Sequence, residues 1–145
     1  MAEQNYDNHI RWYIPHHFVF YPIALGLMAY SVYAAVCNEE QRMLWIFFAA
    51  LTAVVVWLSF MLRQHYGMTL QNRLVLLELR YRYFVTANER FEPLENQLSF
   101  GQRAALRFAP DEELVALAKR AVAEKLSSDD IKKSIKNWKG DYRRI

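Results

Sequence analysis

Two long apolar runs separated by a short polar break set the layout of this chain. No Asp, Glu, Lys or Arg lies between Arg11 and Glu39, and none lies between Arg42 and Arg63. Residues 43–62 make twenty positions, and at a rise of about 1.5 Å per residue such a helix is roughly 30 Å long, the thickness of a bilayer's hydrocarbon core. Each run is therefore long enough to span a membrane. The break consists of the five residues Asn38, Glu39, Glu40, Gln41 and Arg42, which leaves room only for antiparallel neighbours. The pattern predicts an all-α fold built on a membrane-spanning helical hairpin over residues 16–63, with its loop at 38–42.

Residues 1–15 read as a polar and aromatic lead-in that ends in Trp12, Tyr13 and Pro15. Pro15 disfavours the helical region for Ile14, which places the start of the first span at His16 or His17. Pro22 falls in the early turns of that span, where it removes one backbone hydrogen bond and favours a kink. Gly26, Ala29, Ala34 and Ala35 supply small patches for close helix approach, without a GxxxG repeat. Orientation follows from the basic residues. The loop holds only Arg42, whereas Arg11 precedes the first span and Arg63, Arg73, Arg80 and Arg82 follow the second, so both termini are expected in the cytoplasm. Trp45 near the loop, and Trp12, Tyr13 and Tyr66 at the opposite face, fit aromatic belts at the two interfaces.

Past Arg63 the next proline is Pro93 and the only intervening glycine is Gly67. A cytoplasmic helical extension is therefore expected over residues 64–90. Along it Leu70, Leu74, Leu77, Tyr81 and Phe84 recur at alternating steps of four and three, a heptad seam. The seam is expected to be covered by the chain's own C-terminal helices, with a homodimeric or partner coiled coil as the alternative. Glu78 and Arg82 are spaced for an intrahelical ion pair of about 0.2–0.5 kcal/mol.

A linker around Pro93 opens a C-terminal helical module over residues 91–145. Ser99 is placed to cap a helix that reaches about Phe108. Pro110, followed by Asp111, Glu112 and Glu113, marks the next start through its fixed ring geometry and acidic residues at the positive end of the dipole. Leu114, Leu117, Ala118, Ala121 and Val122 form the apolar face of that helix. Ser127 or Ser128 caps a last helix with Asp129 and Asp130 in its first turn, Ile131, Ile135 and Trp138 along one side, and Gly140 placed to end it.

Composition sharpens this layout. The mean hydropathy of −0.10 averages an apolar first half with a charged second half, and 145 residues are too few for two ordinary soluble domains beside a hairpin. The net charge of +3 is concentrated at the end of the chain. There Lys132, Lys133, Lys136, Lys139, Arg143 and Arg144 face only Asp141, a basic surface that suits anionic lipid, an acidic protein patch or RNA, or serves as a solvated helix end. A single cysteine, Cys37, excludes an intramolecular disulfide and a cysteine-based zinc or iron–sulfur centre within one chain. It follows Ala34, Ala35 and Val36, but the leader carries Glu3, Asp7 and Arg11 and a second span follows at once, which argues against a lipobox or cleaved signal.

Candidate chemistry is sparse. His16 and His17 at the start of the first span and His65 beyond the second are expected at the same membrane face, where they anchor helix ends or hold a haem or metal. Glu112, Glu113 and Glu124 on an exposed helix suit solubility and capping better than acid–base catalysis. No phosphate-binding glycine loop, HExxH or serine-elbow pattern occurs. Neither span carries an Asp, Glu, Lys or Arg for a proton relay. Trp138 and Tyr142 interleave with basic residues as in RNA-binding surfaces, but the register of Trp138 with Ile131 and Ile135 places it in the core, so nucleic acid is not the expected partner.

Three segments carry a resemblance: Met1-Ala2-Glu3-Gln4-Asn5-Tyr6 with Asn8 and His9, Ala105-Leu106-Arg107-Phe108-Ala109 leading to Asp111-Glu112-Glu113-Leu114, and Ile131-Lys132 through Trp138 with Asp141-Tyr142. Over nearly its whole length the chain resembles a bacterial membrane-protein family known only as a domain of unknown function. The resemblance implies two membrane helices and a cytoplasmic helical tail and brings no activity to carry over. With anchors and packing seams but no convergent reactive site, the chain is expected to be a non-enzymatic inner-membrane protein that serves as an accessory, scaffold or assembly subunit. It is expected to touch membrane lipids, to carry no cofactor of its own, and to meet a protein partner or further copies of itself through its helices. The alternatives are a component of a redox or lipid-modifying enzyme and a basic membrane-surface sensor.

Overall fold

A computed structural model describes residues 4–10 and 12–142, and every regular element among them is helical. Arg143 and Arg144 of the expected basic surface, and Arg11, lie outside the described residues. The elements are a π-helical turn Pro15–Phe20, α1 Tyr21–Cys37, α2 Arg42–Met61, a second π-helical turn Leu62–Gly67, α3 Met68–Ala87, α4 Glu92–Glu95, α5 Phe100–Leu106, α6 Asp111–Ala123 and α7 Ser128–Ser134. The chain divides into two compact units, one of Arg11–Thr69 and one that joins Met1–Ile10 to Leu70–Arg144.

Two helices are long and apolar enough to cross a membrane, Pro15–Cys37, which ends in α1, and Arg42–Ala87, which opens with α2. Ile14 is helical rather than extended (φ −52°, ψ −49°). Pro15 stands at the first helical position, where its missing N–H is no loss. The Tyr13 carbonyl meanwhile accepts from the backbone N–H of His16 and His17. The wide turn ahead of Pro22 closes with the Tyr21 N–H donating to the His16 carbonyl. The buried positions of α1 are Ala24, Ser31, Ala34 and Ala35, whereas Gly26 and Ala29 face outward. Small residues do make the close-approach face, but it turns through Ser31, whose hydroxyl is satisfied by the Leu27 carbonyl at 2.8 Å. Thr52 in α2 is paired in the same way with the Phe48 carbonyl at 2.9 Å, which leaves neither hydroxyl orphaned in an apolar setting. The last carbonyls of α1 are met by the Asn38 amide (3.1 Å to Ala34) and the Arg42 guanidinium (3.3 Å to Ala35), a favourable place for a cation on the helix dipole.

The second unit is held by local signals that agree with its packing. Ser99 caps α5 in a capping box with Gln102, and Ser127 caps α7 in another with Asp130. Asp111, Glu112 and Glu113 fill the first turn of α6 behind Pro110. Asn88 ends α3 in the left-handed region (φ 52°) with its N–H on the Phe84 carbonyl, a conformation asparagine tolerates well. Leu79, Tyr83, Phe91, Leu106, Phe108, Leu114 and Ile131 are each at most 1% exposed and form the centre of one core.

Two expectations for this unit are overturned. Helix α7 stops at Ser134, with Ile135 extended (φ −73°, ψ 123°), instead of running to Gly140. The cause lies on α6. The Glu113 carboxylate accepts the backbone N–H of Lys136 (3.0 Å) and of Asn137 (3.1 Å), together with the Asn137 amide (3.2 Å), so it draws the chain out of the helix. Trp138 still reaches the core, with its ring 4.9 Å from that of Phe108. Gly140 is needed for clearance instead of as a helix stop, because any Cβ there would collide with the Tyr142 ring.

The lead-in also joins this unit. Gln4 donates its backbone N–H to the Tyr142 hydroxyl (3.4 Å) and accepts the Asp141 N–H on its side-chain oxygen (2.7 Å). The His9 ring lies edge-on to Phe108 at 5.8 Å. Leu114 is fully buried at the centre of α6, and Leu114→Ala is expected to destabilise this unit by about 2–5 kcal/mol. Hydrogen exchange should accelerate through α5, α6 and α7 while amides of α1 and α2 keep their protection.

Candidate interaction surface

Helix α3 carries two apolar stripes, and a buried arginine decides which one faces the core. Arg82 is 7% exposed; its Nε donates to Asp111 Oδ1 at 2.6 Å, Nη1 to the Arg107 carbonyl at 2.9 Å and Nη2 to the Ala109 carbonyl at 2.5 Å. The guanidinium thus satisfies carbonyls that follow α5 and the first acid of α6 together. The expected pairing of Arg82 with Glu78 is not formed. Held in this way, α3 turns Val75, Leu79 and Tyr83 inward beside Arg82.

A second ionic knot fixes the same face. Glu95 is 4% exposed and takes Arg80 through two bonds (2.6 and 3.0 Å) and Arg103 through a third (2.9 Å). The Arg80 hydrogen bond, offset in part by burial and aided by Arg103, holds the Glu95 carboxyl below its usual range. The Arg82 hydrogen bond does the same for Asp111, with a further contribution from Lys139.

The consequence is on the other side of α3. Leu70, Leu74, Leu77, Tyr81 and Phe84 are between 51% and 68% exposed. The heptad seam is therefore not covered by the C-terminal helices, contrary to expectation. Among the described residues, Arg73 and Glu78 beside it form no ion pair. Those helices pack instead around Leu79 and Tyr83, on a stripe that also buries Val75 and that sequence reasoning passed over because an arginine interrupts it.

The basic end is partly tied down. Lys132 pairs with Asp129 at 3.3 Å, Lys133 lies over the Tyr6 ring at 5.4 Å, and Lys139 approaches Asp111 at 3.7 Å. Lys136 remains exposed. Glu124 pairs with Arg120 at 3.4 Å. A shallow cleft of about 420 Å³ opens above Tyr83, Pro93 and Leu94; Glu89 and Lys119 on its rim pair at 3.2 Å, and Arg90 lines it beside them. The Tyr83 hydroxyl beneath is buried without a hydrogen-bond partner, and that desolvation pushes its pKa up. His16 bonds through Nε2 to Ser59 Oγ at 3.0 Å. Among the described residues no cluster of three or more His, Cys, Asp or Glu side chains is placed to hold a metal.

The whole chain, residues 1–145, matches a family of unknown function (DUF6526), and the protein belongs to that family. No curated protein and no solved structure matches it.

The carboxylate knots set a pH dependence. Because Glu95 and Asp111 titrate lower in the folded chain than in the unfolded one, the stability they provide is fully present above the unfolded carboxylate range of about pH 4–4.5. It is lost as pH falls through their lowered folded values. Denaturation of the second unit should show this acid-side decline, and Glu95→Gln should flatten it while lowering neutral-pH stability by about 2–3 kcal/mol. An unchanged acid limb in Glu95→Gln would remove Glu95 from this role.

Proposed function

We propose that this protein is a non-enzymatic integral membrane subunit whose helical hairpin anchors a cytoplasmic helical unit in the bacterial inner membrane. Its role is that of an accessory, scaffold or assembly component. The observation that carries the reading is where apolar surface is left uncovered. In the most apolar windows of the two long helices only 17% and 0% of residues are buried, unlike the core helix of a soluble protein.

Three contacts support the hairpin: His16 with Ser59 at 3.0 Å, the Tyr30 ring edge-on to Trp45 at 5.5 Å, and Arg42 on the Ala35 carbonyl at 3.3 Å. They pair early residues of the first helix with late residues of the second, and late with early, as antiparallel spans require. The distribution of arginines supports cytoplasmic termini. A scaffold reading is supported by the buried charges, since Arg82 and Glu95 pair with other charged side chains, Arg82 also with backbone carbonyls, and neither lines the cleft above Tyr83.

Topology is checked with impermeant maleimide. In a Cys37→Ser background, Glu40→Cys in the loop should label in intact spheroplasts, whereas Ser128→Cys should label only after permeabilisation. The reverse pattern would invert the hairpin. Gentle detergent extraction at native expression should then yield a colourless protein in stoichiometric company. A bound chromophore or a turnover reaction of the isolated chain would overturn the accessory reading.

A further inference from the structure

We infer that the exposed seam of α3 is the interface of a parallel two-stranded coiled coil with a second copy of this chain. Leu70, Leu77 and Phe84 occupy one core position of the heptad, and Leu74 and Tyr81 occupy the other. The stripe covers about 21 Å of helix, and its residues are all more than half exposed.

The flanks of the seam identify the occupant. Arg73 and Glu78 are five residues apart and stand on opposite sides of the Leu74–Leu77 core. In a parallel pair, the residue before one core layer on one helix meets the residue five positions later on the other helix. Arg73 of each copy therefore faces Glu78 of the other, which forms the two symmetric ion pairs that such interfaces use to set partner and direction. Both side chains are exposed, and neither has an ion-pair partner among the described residues. One heptad further on, Arg80 is already held by Glu95, and its counterpart position is the apolar Val85. An antiparallel pair would instead set Arg73 against Arg80.

The proposed hairpin anchor would hold two copies in one membrane. Insertion side by side also raises the effective concentration of a seam too short to associate strongly in dilute solution. This last argument rests on the membrane reading above.

The test uses full-length protein in its native membrane with Cys37→Ser as background. Leu74→Cys, Leu77→Cys and Tyr81→Cys should each form a self-disulfide on mild oxidation, and Asn72→Cys on the other face should not. Equal cross-linking at all four positions, or none at the seam, overturns the inference. Glu78→Arg on Leu77→Cys should lower the cross-link roughly fivefold, as expected for two exposed pairs turned repulsive. Adding Arg73→Glu should restore it. Loss of the cross-link in both charge variants, or in neither, would refute the assigned register. Membrane fractionation is read alongside. Protein in the soluble fraction defeats the anchoring reading, whereas membrane-bound protein with no seam cross-link defeats only the dimer.

Discussion

The placement of one guanidinium governs the second unit. A charged group is expensive to remove from water unless each of its donors is met, and Arg82 meets that condition with the Arg107 and Ala109 carbonyls and the Asp111 carboxylate. Only one rotation of α3 about its axis delivers Arg82 to those three acceptors. That rotation sends Val75, Leu79 and Tyr83 into the core. It also commits Leu70, Leu74, Leu77, Tyr81 and Phe84 to the surface. Glu95 reinforces the choice from the neighbouring turn by holding Arg80 and Arg103 together.

What could be read from the residues divides along the same line. Local signals were legible: the Ser99 and Ser127 caps, the acidic first turn of α6 and its apolar face of Leu114, Leu117, Ala118 and Ala121 all stand where the pattern placed them. The two long apolar helices were legible from composition alone. The facing of α3 was not. Its five-residue heptad stripe is the stronger periodic signal, and periodicity measures how apolar a face is without saying what covers it. The true inner face depends on acceptors 25 to 29 residues away in sequence. The end of α7 failed for a similar reason: Glu113 reaches across 23 residues to take the Lys136 N–H, and no window around Ser134 contains that carboxylate.

The expected basic surface also changes character in the folded chain. Lys132 and Lys133 are engaged by Asp129 and the Tyr6 ring, so the charge density of the sequence overstates the free positive field. The first part of the lead-in supplies Tyr6 and His9 to the aromatic cluster around Phe108 and Trp138, while Trp12 and Tyr13, on which the interfacial reading rested, are exposed. Aromatic residues near an anchor suit either an interface or a core, and only the partners decide between them.

Under the proposed insertion, exposed apolar side chains have opposite meanings on α2 and on α3. On α2, Phe47, Trp57 and Phe60 are 63%, 68% and 53% exposed, and in the proposed insertion hydrocarbon surrounds them, so no hydrophobic force drives one span onto another. On α3 the same degree of exposure on Leu74 and Leu77 would, in that proposed insertion, face water, where burying each such side chain is worth about 1.5–3 kcal/mol. On that proposed reading the seam on α3 supplies the attraction for assembly, which gives a use to a long apolar stripe that the chain's own core does not employ.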